Sequence, residues 1–211
     1  MGIPGRISTV DQALLLLGLN AVKGLLLGVS VFEIMQKVMS GLWEHSLATA
    51  IVARSIAQKK GITEHEEISV AALIHDIGKV ILILRFPEEY ERVLQKAFQE
   101  DLFISDAEKE IFGLTHAEAG AIMCRKWHFP HILIETIENY HHPSSSKRHI
   151  LHTAIVHISD ILARAKGIGF AGDKHVPPID PIAWNNLNLT KEELKEILIH
   201  LEESFYEMTF P

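Results

Sequence analysis

The chain has little cysteine and no concentrated positive charge, and each shortage excludes a class of protein. Among 211 residues there is one cysteine, Cys124, so an internal disulfide is impossible and a cysteine-based metal cluster is not indicated. We therefore expect a reducing compartment and a cytoplasmic protein. Lys and Arg number 20 against 27 Asp and Glu, a net charge of −7, and no basic run interrupts that balance. No DNA or RNA partner is expected.

Segments that would direct the chain to a membrane are also not recognised. The first residues lack a basic stretch followed by an apolar one, which a signal peptide requires. The most apolar window, Ala13–Met35, is interrupted by Asn20 and Lys23, so it is interpreted as buried helices rather than as a membrane span. The sequence also lacks repeats, low-complexity tracts and glycine-rich nucleotide-binding fingerprints. With no clear linker, we predict one domain over residues 1–211.

Helix signals occur almost throughout. Thr63, Ser105, Thr115 and Thr190 are each followed three residues later by Glu, which is the capping-box pattern. Gly78 is predicted to end a helix. The signals predict an all-α protein with helices at 8–18, 20–38, 40–60, 64–77, 87–99, 106–113, 116–127, 130–142, 147–166 and 190–207, and with a loop at 167–189 that serves as a connector or as a flap over a site.

Thirteen histidines are many for this length, and some stand beside carboxylates. His75 and Asp76 come at the predicted C-terminal end of a helix, where both side chains can turn towards one metal ion. A neutral imidazole nitrogen with a carboxylate oxygen suits Zn²⁺, Mn²⁺ or Fe. Asp160 lies in an otherwise apolar helix, where a carboxylate needs a cation, hydrogen bonds or water.

The order of these residues resembles the H…HD…D signature of the HD-domain metal-dependent phosphohydrolase superfamily. The matching residues are His45, His75, Asp76 and Asp160. Lys79, His116, His141 and His142 resemble the extended ligand set of its HD-GYP branch. The stretches 7–18, 41–46, 116–121, 127–130 and 140–143 are similar to another branch, the HDOD (HD-related output domain) proteins of bacterial signalling. The resemblance covers residues 3–165 and implies a compact multi-helix HD-domain-like bundle.

The resemblance implies one or two divalent ions of Fe, Mn or Zn. The first site would use His45, His75, Asp76 and Asp160, and Asp76 would bridge to a second ion held by His116, His141 and His142. The resemblance further implies that Asp76 and Lys79 act in catalysis, with Lys79 stabilising charge on a phosphoryl group. The substrate would be a phosphomonoester or phosphodiester of the nucleotide kind. Secondary candidates for phosphate contacts are Arg125, Lys126, Lys147 and Arg148.

Two departures keep a second function open. The Gly-Tyr-Pro loop is missing, because Ser-Ser-Ser-Lys-Arg follows Pro143, so hydrolysis of cyclic di-GMP is not implied. Many HDOD proteins have lost the metal ligands, and the alternative is a non-catalytic regulatory module that binds a ligand or a signalling protein. HDOD domains usually carry further helices before residues 2–6, so we expect Met1 to begin a truncated module.

The other side chains singled out are predicted to have structural roles. Trp43, Trp127 and the run Leu14–Leu17 are assigned to the core. His157, one turn before Asp160, is intermediate between a structural and a ligating role. Surface or packing roles are assigned to His65, His128, His131, His149, His152, His175 and His200.

Overall fold

The computed structural model describes residues 35–209, and these residues form helices and turns without a strand. The all-α prediction is therefore confirmed for this part of the chain. The helices are α1 (Leu42–Lys59), α2 (His65–Leu73), α3 (Ile77–Arg85), α4 (Pro87–Gln99), α5 (Ile104–Phe112), α6 (His116–Lys126), α7 (His131–Asn139), α8 (Ile150–Ala165), α9 (Pro181–Leu187) and α10 (Lys191–Thr209), with a short 3₁₀ helix at Pro143–Ser145.

Most predicted helices agree with the structure within a few residues. The helix predicted at 87–99 coincides with α4, and the one predicted at 190–207 corresponds to α10. Residues 35–38 are helical, while the rest of the helix predicted at 20–38, the helix at 8–18 and the run Leu14–Leu17 lie outside the described residues. Within the described residues, no helix has the length and apolar character needed to cross a membrane.

The core is formed where α1 packs against α2, α8 and α10. Helix α1 buries Ala48, Val52 and Ile56, spaced four residues apart, so one stripe of the helix faces inwards. Helix α8 contributes Ile155 and Ile158 to the same apolar cluster. These two packed helices also carry polar side chains that enter the core.

The helix predicted at 64–77 is divided in two, which changes the position of His75 and Asp76. They lie in the turn between α2 and α3, and the chain resumes as a helix at Ile77. The prediction that Gly78 ends a helix is wrong. A Cβ atom on Gly78 would lie 1.8 Å from the carbonyl oxygen of His116, so glycine is needed there because α3 and α6 approach at backbone distance.

The loop predicted at 167–189 also needs correction, because it contains α9. Asp180 accepts hydrogen bonds from the backbone N–H groups of Ile182 and Ala183, and Pro181 occupies the first helical position. Both are standard features of a helix start. Seven residues are too few for a periodic apolar pattern, so the capping signal was the one available.

The capping-box predictions have mixed outcomes. The boxes at Thr115 and Thr190 are present, each with both reciprocal hydrogen bonds. The box at Ser105 is wrong, because α5 begins at Ile104 and Glu108 turns into the core instead. Helix α2 likewise begins after Glu64 without a side-chain cap, so the box at Thr63 is not formed.

The prediction that both tryptophans lie in the core is correct for only one of them. Trp43 is partly buried and packs against the core. The core prediction for Trp127 is wrong, since its side chain is 44% exposed beyond the end of α6.

Replacing Gly78 with alanine should destabilise the protein more than replacing a glycine in open space. The added methyl group meets a backbone carbonyl that cannot rotate away, so we expect a loss of about 3 kcal/mol or more in the free energy of unfolding. Gly113→Ala is the control, because its Cβ meets nothing within 4 Å and its cost of about 1 kcal/mol comes from the positive φ. Urea denaturation measures both, and equal losses would contradict the close-approach explanation.

Candidate metal centre

Three buried side chains from separate elements meet at the centre of the bundle. His45 comes from the start of α1, His75 from the turn between α2 and α3, and Asp160 from α8. One potential ligand atom from each lies within 4.8 Å of the other two. His45 Nε2 is 2.9 Å from Asp160 Oδ1, and His75 Nε2 is 3.8 Å from the same oxygen. All three residues are at most 2% exposed.

The nitrogens that face this centre have no hydrogen-bond partner. His75 Nδ1 lies 2.6 Å from the carbonyl oxygen of Ala72, which only accepts, so the ring proton is on Nδ1 and Nε2 keeps a free lone pair. His75 Nε2 and His45 Nε2 are both buried without a hydrogen bond. Burial lowers the pKa of His45, although Asp160 opposes this effect, so its ring favours the neutral form. The free Nε2 lone pair of His75, which lies beside His45 Nε2 and a carboxylate, is an arrangement found in metal ligands.

Arg164 compensates the charge of Asp160. Its Nε donates to Asp160 Oδ1 at 3.0 Å and its Nη1 to Asp173 Oδ1 at 3.1 Å, and all three side chains are buried. Burial alone would raise the pKa of Asp160, but Arg164 and the two histidines hold it well below the ordinary value. Asp160 is therefore a carboxylate, available both to the guanidinium and to a cation.

Asp76 belongs to the same cluster but is tied by other partners. Its Oδ2 lies 3.5 Å from His75 Nε2 and accepts a hydrogen bond from Lys79 Nζ at 2.7 Å. Its Oδ1 accepts from the hydroxyl of Tyr140 at 2.9 Å. Burial would raise its pKa, but His75, Lys79 and His116 hold the pKa of Asp76 well below the ordinary value.

Lys79 is fully buried and makes a second bond to a distant segment. Its ammonium group donates to the carbonyl oxygen of Ala171 at 2.7 Å as well as to Asp76. The predicted catalytic pair Lys79 and Asp76 is thus in direct contact, and Lys79 orients Asp76.

The histidines predicted to hold a second ion lie beside the first group of ligands, but the side chain of Tyr140 lies among them. His116 Nε2 is 3.4 Å from Asp76 Oδ1 and 2.9 Å from His141 Nε2. The hydroxyl of Tyr140 lies 2.6 Å from His116 Nε2, in contact with both His116 and Asp76. On its other side, His116 Nδ1 contacts Glu108 Oε2 at 2.5 Å. A carboxylate on the far nitrogen is a common support for ligating histidines.

His142 is not brought into this buried group. It is exposed at the start of the 3₁₀ helix, while His141 is partly buried, and burial lowers the pKa of His141 well below its usual value. Both histidines line a cavity of about 530 Å³ that also reaches Arg164 and Asp173. This cavity is an approach from solvent to the edge of the cluster.

His157, the intermediate case, has a structural role. Its Nδ1 lies 2.8 Å from the carbonyl oxygen of Tyr140, and its Nε2 accepts from the backbone N–H of Asp180 at 2.9 Å. Both ring nitrogens are thereby used, and His157 joins the end of α7 to the start of α9.

The comparisons with known proteins agree with this architecture. The model of the HDOD domain family matches residues 1–143. The chain belongs to the HDOD family. An uncharacterized protein of Treponema pallidum (strain Nichols) is 23% identical over 144 residues, which make up 66% of this chain and 28% of that relative. This HDOD protein therefore spans little more than a quarter of the curated relative's length.

Solved structures share the fold of this HDOD protein. An HDOD domain protein of unknown function from Geobacter sulfurreducens has a TM-score of 0.71 at 23% identity, over 97% of this chain and 74% of that one. A proposed phosphohydrolase from Shewanella amazonensis SB2B has a TM-score of 0.62 at 21% identity, over 93% and 78%. A proposed signal transduction protein from Marinobacter aquaeolei VT8 has a TM-score of 0.68 at 18% identity, over 79% and 38%.

Buried carboxylates outnumber the buried lysine and arginine side chains in this cluster. Four buried carboxylates, Asp76, Glu108, Asp160 and Asp173, face two buried cations, Lys79 and Arg164. A divalent ion would add positive charge among these carboxylates. Buried unpaired charge is costly, so the donor set and its charge both suit such an ion at His45, His75 and Asp160.

Sequence reasoning missed four residues of this network: Tyr140, Glu108, Arg164 and Asp173. Arg164 follows Asp160 by one helical turn, an i,i+4 spacing that could have identified it. Tyr140 precedes the His141–His142 pair, but nothing in its spacing indicates contact with Asp76. Glu108 was assigned to a helix cap, which concealed its contact with His116.

Removing the guanidinium group of Arg164 should destabilise the protein, because Asp160 and Asp173 then lose their cation in the interior. For Arg164→Met in metal-free protein we expect a loss of about 3–5 kcal/mol in the free energy of unfolding. Arg125→Met is the matched control, since Arg125 pairs with Glu138 at the surface and should contribute about 1 kcal/mol or less. Urea denaturation distinguishes the two, and a similar small loss for both variants would refute the charge-compensation argument.

The metal-free protein should lose stability in two steps as pH falls. The folded-state pKa of His45 and His141 is lowered, so the unfolded chain takes up protons first, and stability declines below about pH 6.5. The lowered pKa of Asp76 and Asp160 adds a further decline below about pH 4. Thermal unfolding in chelator across this range measures the effect, and a constant Tm between about pH 7.5 and 5 would contradict the first step.

Proposed function

We propose that this HDOD protein is a signalling-type metalloprotein that holds a divalent ion with His45, His75 and Asp160 and hydrolyses a phosphomonoester or phosphodiester. The observation that carries the proposal is the pair of buried, unbonded Nε2 atoms of His45 and His75 beside a carboxylate. The names of the Shewanella and Marinobacter proteins, a proposed phosphohydrolase and a proposed signal transduction protein, support the two parts of the proposal.

The first step of the argument is access. Arg164 and Asp173 line both the cavity of about 530 Å³ and a smaller one of about 180 Å³, and the smaller cavity also reaches His45. The ligand group therefore lies between two openings. A phosphate group entering the larger cavity would meet the guanidinium of Arg164, which is planar and suited to phosphate oxygens.

The second step is the chemistry of the surrounding side chains. A bound divalent ion supplies Lewis-acid polarisation of a phosphoryl oxygen and makes water acidic enough to attack near neutral pH. Lys79 and Tyr140 fix the two oxygens of Asp76, so this carboxylate keeps one orientation and stays charged. His141 lines the rim of the cavity, and burial lowers its pKa so that the ring favours the neutral form.

The third step concerns the number of ions and the role of Lys79. Tyr140 contacts both Asp76 and His116, the residues that would flank a second ion, and this favours one ion over two. Lys79 donates to Asp76 and to the carbonyl oxygen of Ala171 inside the core. We therefore assign Lys79 as a positioning residue for Asp76, in place of a direct phosphate contact.

A second candidate is a regulatory HDOD module in which the ion has a structural role and the surface binds a signalling protein. Its supporting observation is burial, since His45, His75 and Asp160 are at most 2% exposed and leave little room for a substrate at the ion. The two candidates share the metal site and differ in turnover.

The decisive experiment loads chelator-treated protein with Mn²⁺, Fe²⁺ or Zn²⁺ and measures bound metal and hydrolysis together. Substrates are p-nitrophenyl phosphate, its bis-ester, nucleotides and cyclic dinucleotides. His75→Ala should lose one metal equivalent and reduce turnover by about 10²-fold or more, because it removes a ligand. His200→Ala, an exposed histidine on α10, is the control and should retain both.

Each result selects between the candidates. Metal-dependent turnover that His75→Ala abolishes supports the hydrolase. A bound equivalent that His75→Ala loses, without turnover on any substrate, refutes the hydrolase and supports the regulatory module. If His75→Ala binds as much metal as the parent protein, the metal centre itself is wrong.

A further inference from the structure

A second group of potential metal ligands lies away from the buried centre. His131 and Glu135 are four residues apart on α7, so they project from one side of that helix. His149, directly before α8, brings a third potential ligand atom within 4.8 Å of theirs. Sequence reasoning assigned both histidines to surface or packing and passed over Glu135.

Glu135 is an unusual carboxylate because its two oxygens have different surroundings. Oε1 accepts hydrogen bonds from the hydroxyl of Ser146 at 2.7 Å and from the backbone N–H groups of Lys147 at 2.5 Å and Arg148 at 2.7 Å, with a longer one of 3.4 Å from that of His149. Oε2 is buried and has no hydrogen-bond partner, and the residue is only 6% exposed.

This asymmetry leaves one charged oxygen ready for a cation. Burial would raise the pKa of Glu135, but the hydrogen bonds to Oε1 lower it to about 2, so the group is ionised. The donors fix the carboxylate through one oxygen, and the other oxygen faces the two histidines without a proton to accept. A buried acceptor in that condition requires an explanation, such as an ion.

The distance between the ligand atoms of His131 and Glu135 matches a tetrahedral ion. His131 Nδ1 is 3.3 Å from Glu135 Oε2 without forming a hydrogen bond. Ligand atoms at about 2.0–2.1 Å from Zn²⁺ in tetrahedral geometry are about 3.3 Å apart. His131 is 64% exposed, so its ring can adjust at little cost in packing.

The site is open on one side. His131 and Glu135 line a surface groove of about 460 Å³, so water or another small ligand can reach a fourth position. Lys147 and Arg148 line the same groove, and their charges favour an anion there.

We propose that His131, Glu135 and His149 form a second, surface-accessible site for a divalent transition metal, with Zn²⁺ as the best-fitting ion. Two imidazoles and one carboxylate are a known zinc donor set with an open fourth position. The site is separate from the buried centre. His149 directly precedes α8, and Asp160 lies eleven residues, or about 16 Å, further along that helix.

The test counts zinc on three forms of the full chain by elemental analysis after equilibrium dialysis against Zn²⁺. The forms are the parent protein, His131→Ala/His149→Ala, and the control His65→Ala/His200→Ala, which also removes two imidazoles. We expect the first double variant to bind one equivalent less than the parent and the control to match the parent. Any zinc at the buried centre contributes equally to all three forms, so failure of that centre leaves the difference unchanged.

A second readout locates the ion. Crystals soaked in Zn²⁺ should show an anomalous peak among His131, Glu135 and His149, and Glu135→Gln should weaken binding about tenfold or more by removing the charged oxygen. If Glu135→Gln does not fold, the histidine variants still decide the question. Equal zinc content in all three forms, or a zinc-soaked crystal without this peak, overturns the proposal.

Discussion

The need to compensate buried carboxylates governs this structure. Asp76 and Asp160 enter an apolar helical bundle, where an isolated negative charge would be more costly than the whole domain is stable. Lys79 and Arg164 compensate part of that charge. Lys79 also donates to the carbonyl oxygen of Ala171, 92 positions along the chain, and Arg164 donates to the carboxylate of Asp173 in the segment that follows α8. The charge pairing therefore holds α3, α8 and the segment after α8 together.

The helical class and the meeting of His45, His75 and Asp160 could be predicted from the sequence, because both rest on sequence patterns. Capping residues act within a few positions, and the H…HD…D order names its residues directly. The partners of those residues could not be predicted in the same way. Tyr140 reaches Asp76 across 64 positions, and Gly78 is required because of the backbone of His116. Such contacts depend on packing between helices, on which the spacing within one helix carries no information.

The buried histidines differ in whether the second ring nitrogen has a hydrogen-bond partner, and this difference separates structural from candidate ligating residues. His157 has partners at both nitrogens and acts as a brace between helices. His75 has one nitrogen satisfied and one bare, and that bare nitrogen faces carboxylates. Glu135 repeats the second pattern with a carboxylate, since one oxygen is saturated and the other is unbonded. A group that is fixed on one side and unsatisfied on the other is preorganised for a ligand.

The family match ends at residue 143, yet the bundle does not end there. Asp160 and Arg164 follow that boundary, and the backbone N–H of Phe170 donates to the carbonyl oxygen of Gly41 at 2.9 Å, which returns the chain to the start of α1. Residues after 143 thus pack into the same apolar core as the matched region. A fragment cut at the family boundary would expose the inner faces of α1 and α2 and behave as a partly folded, aggregation-prone species.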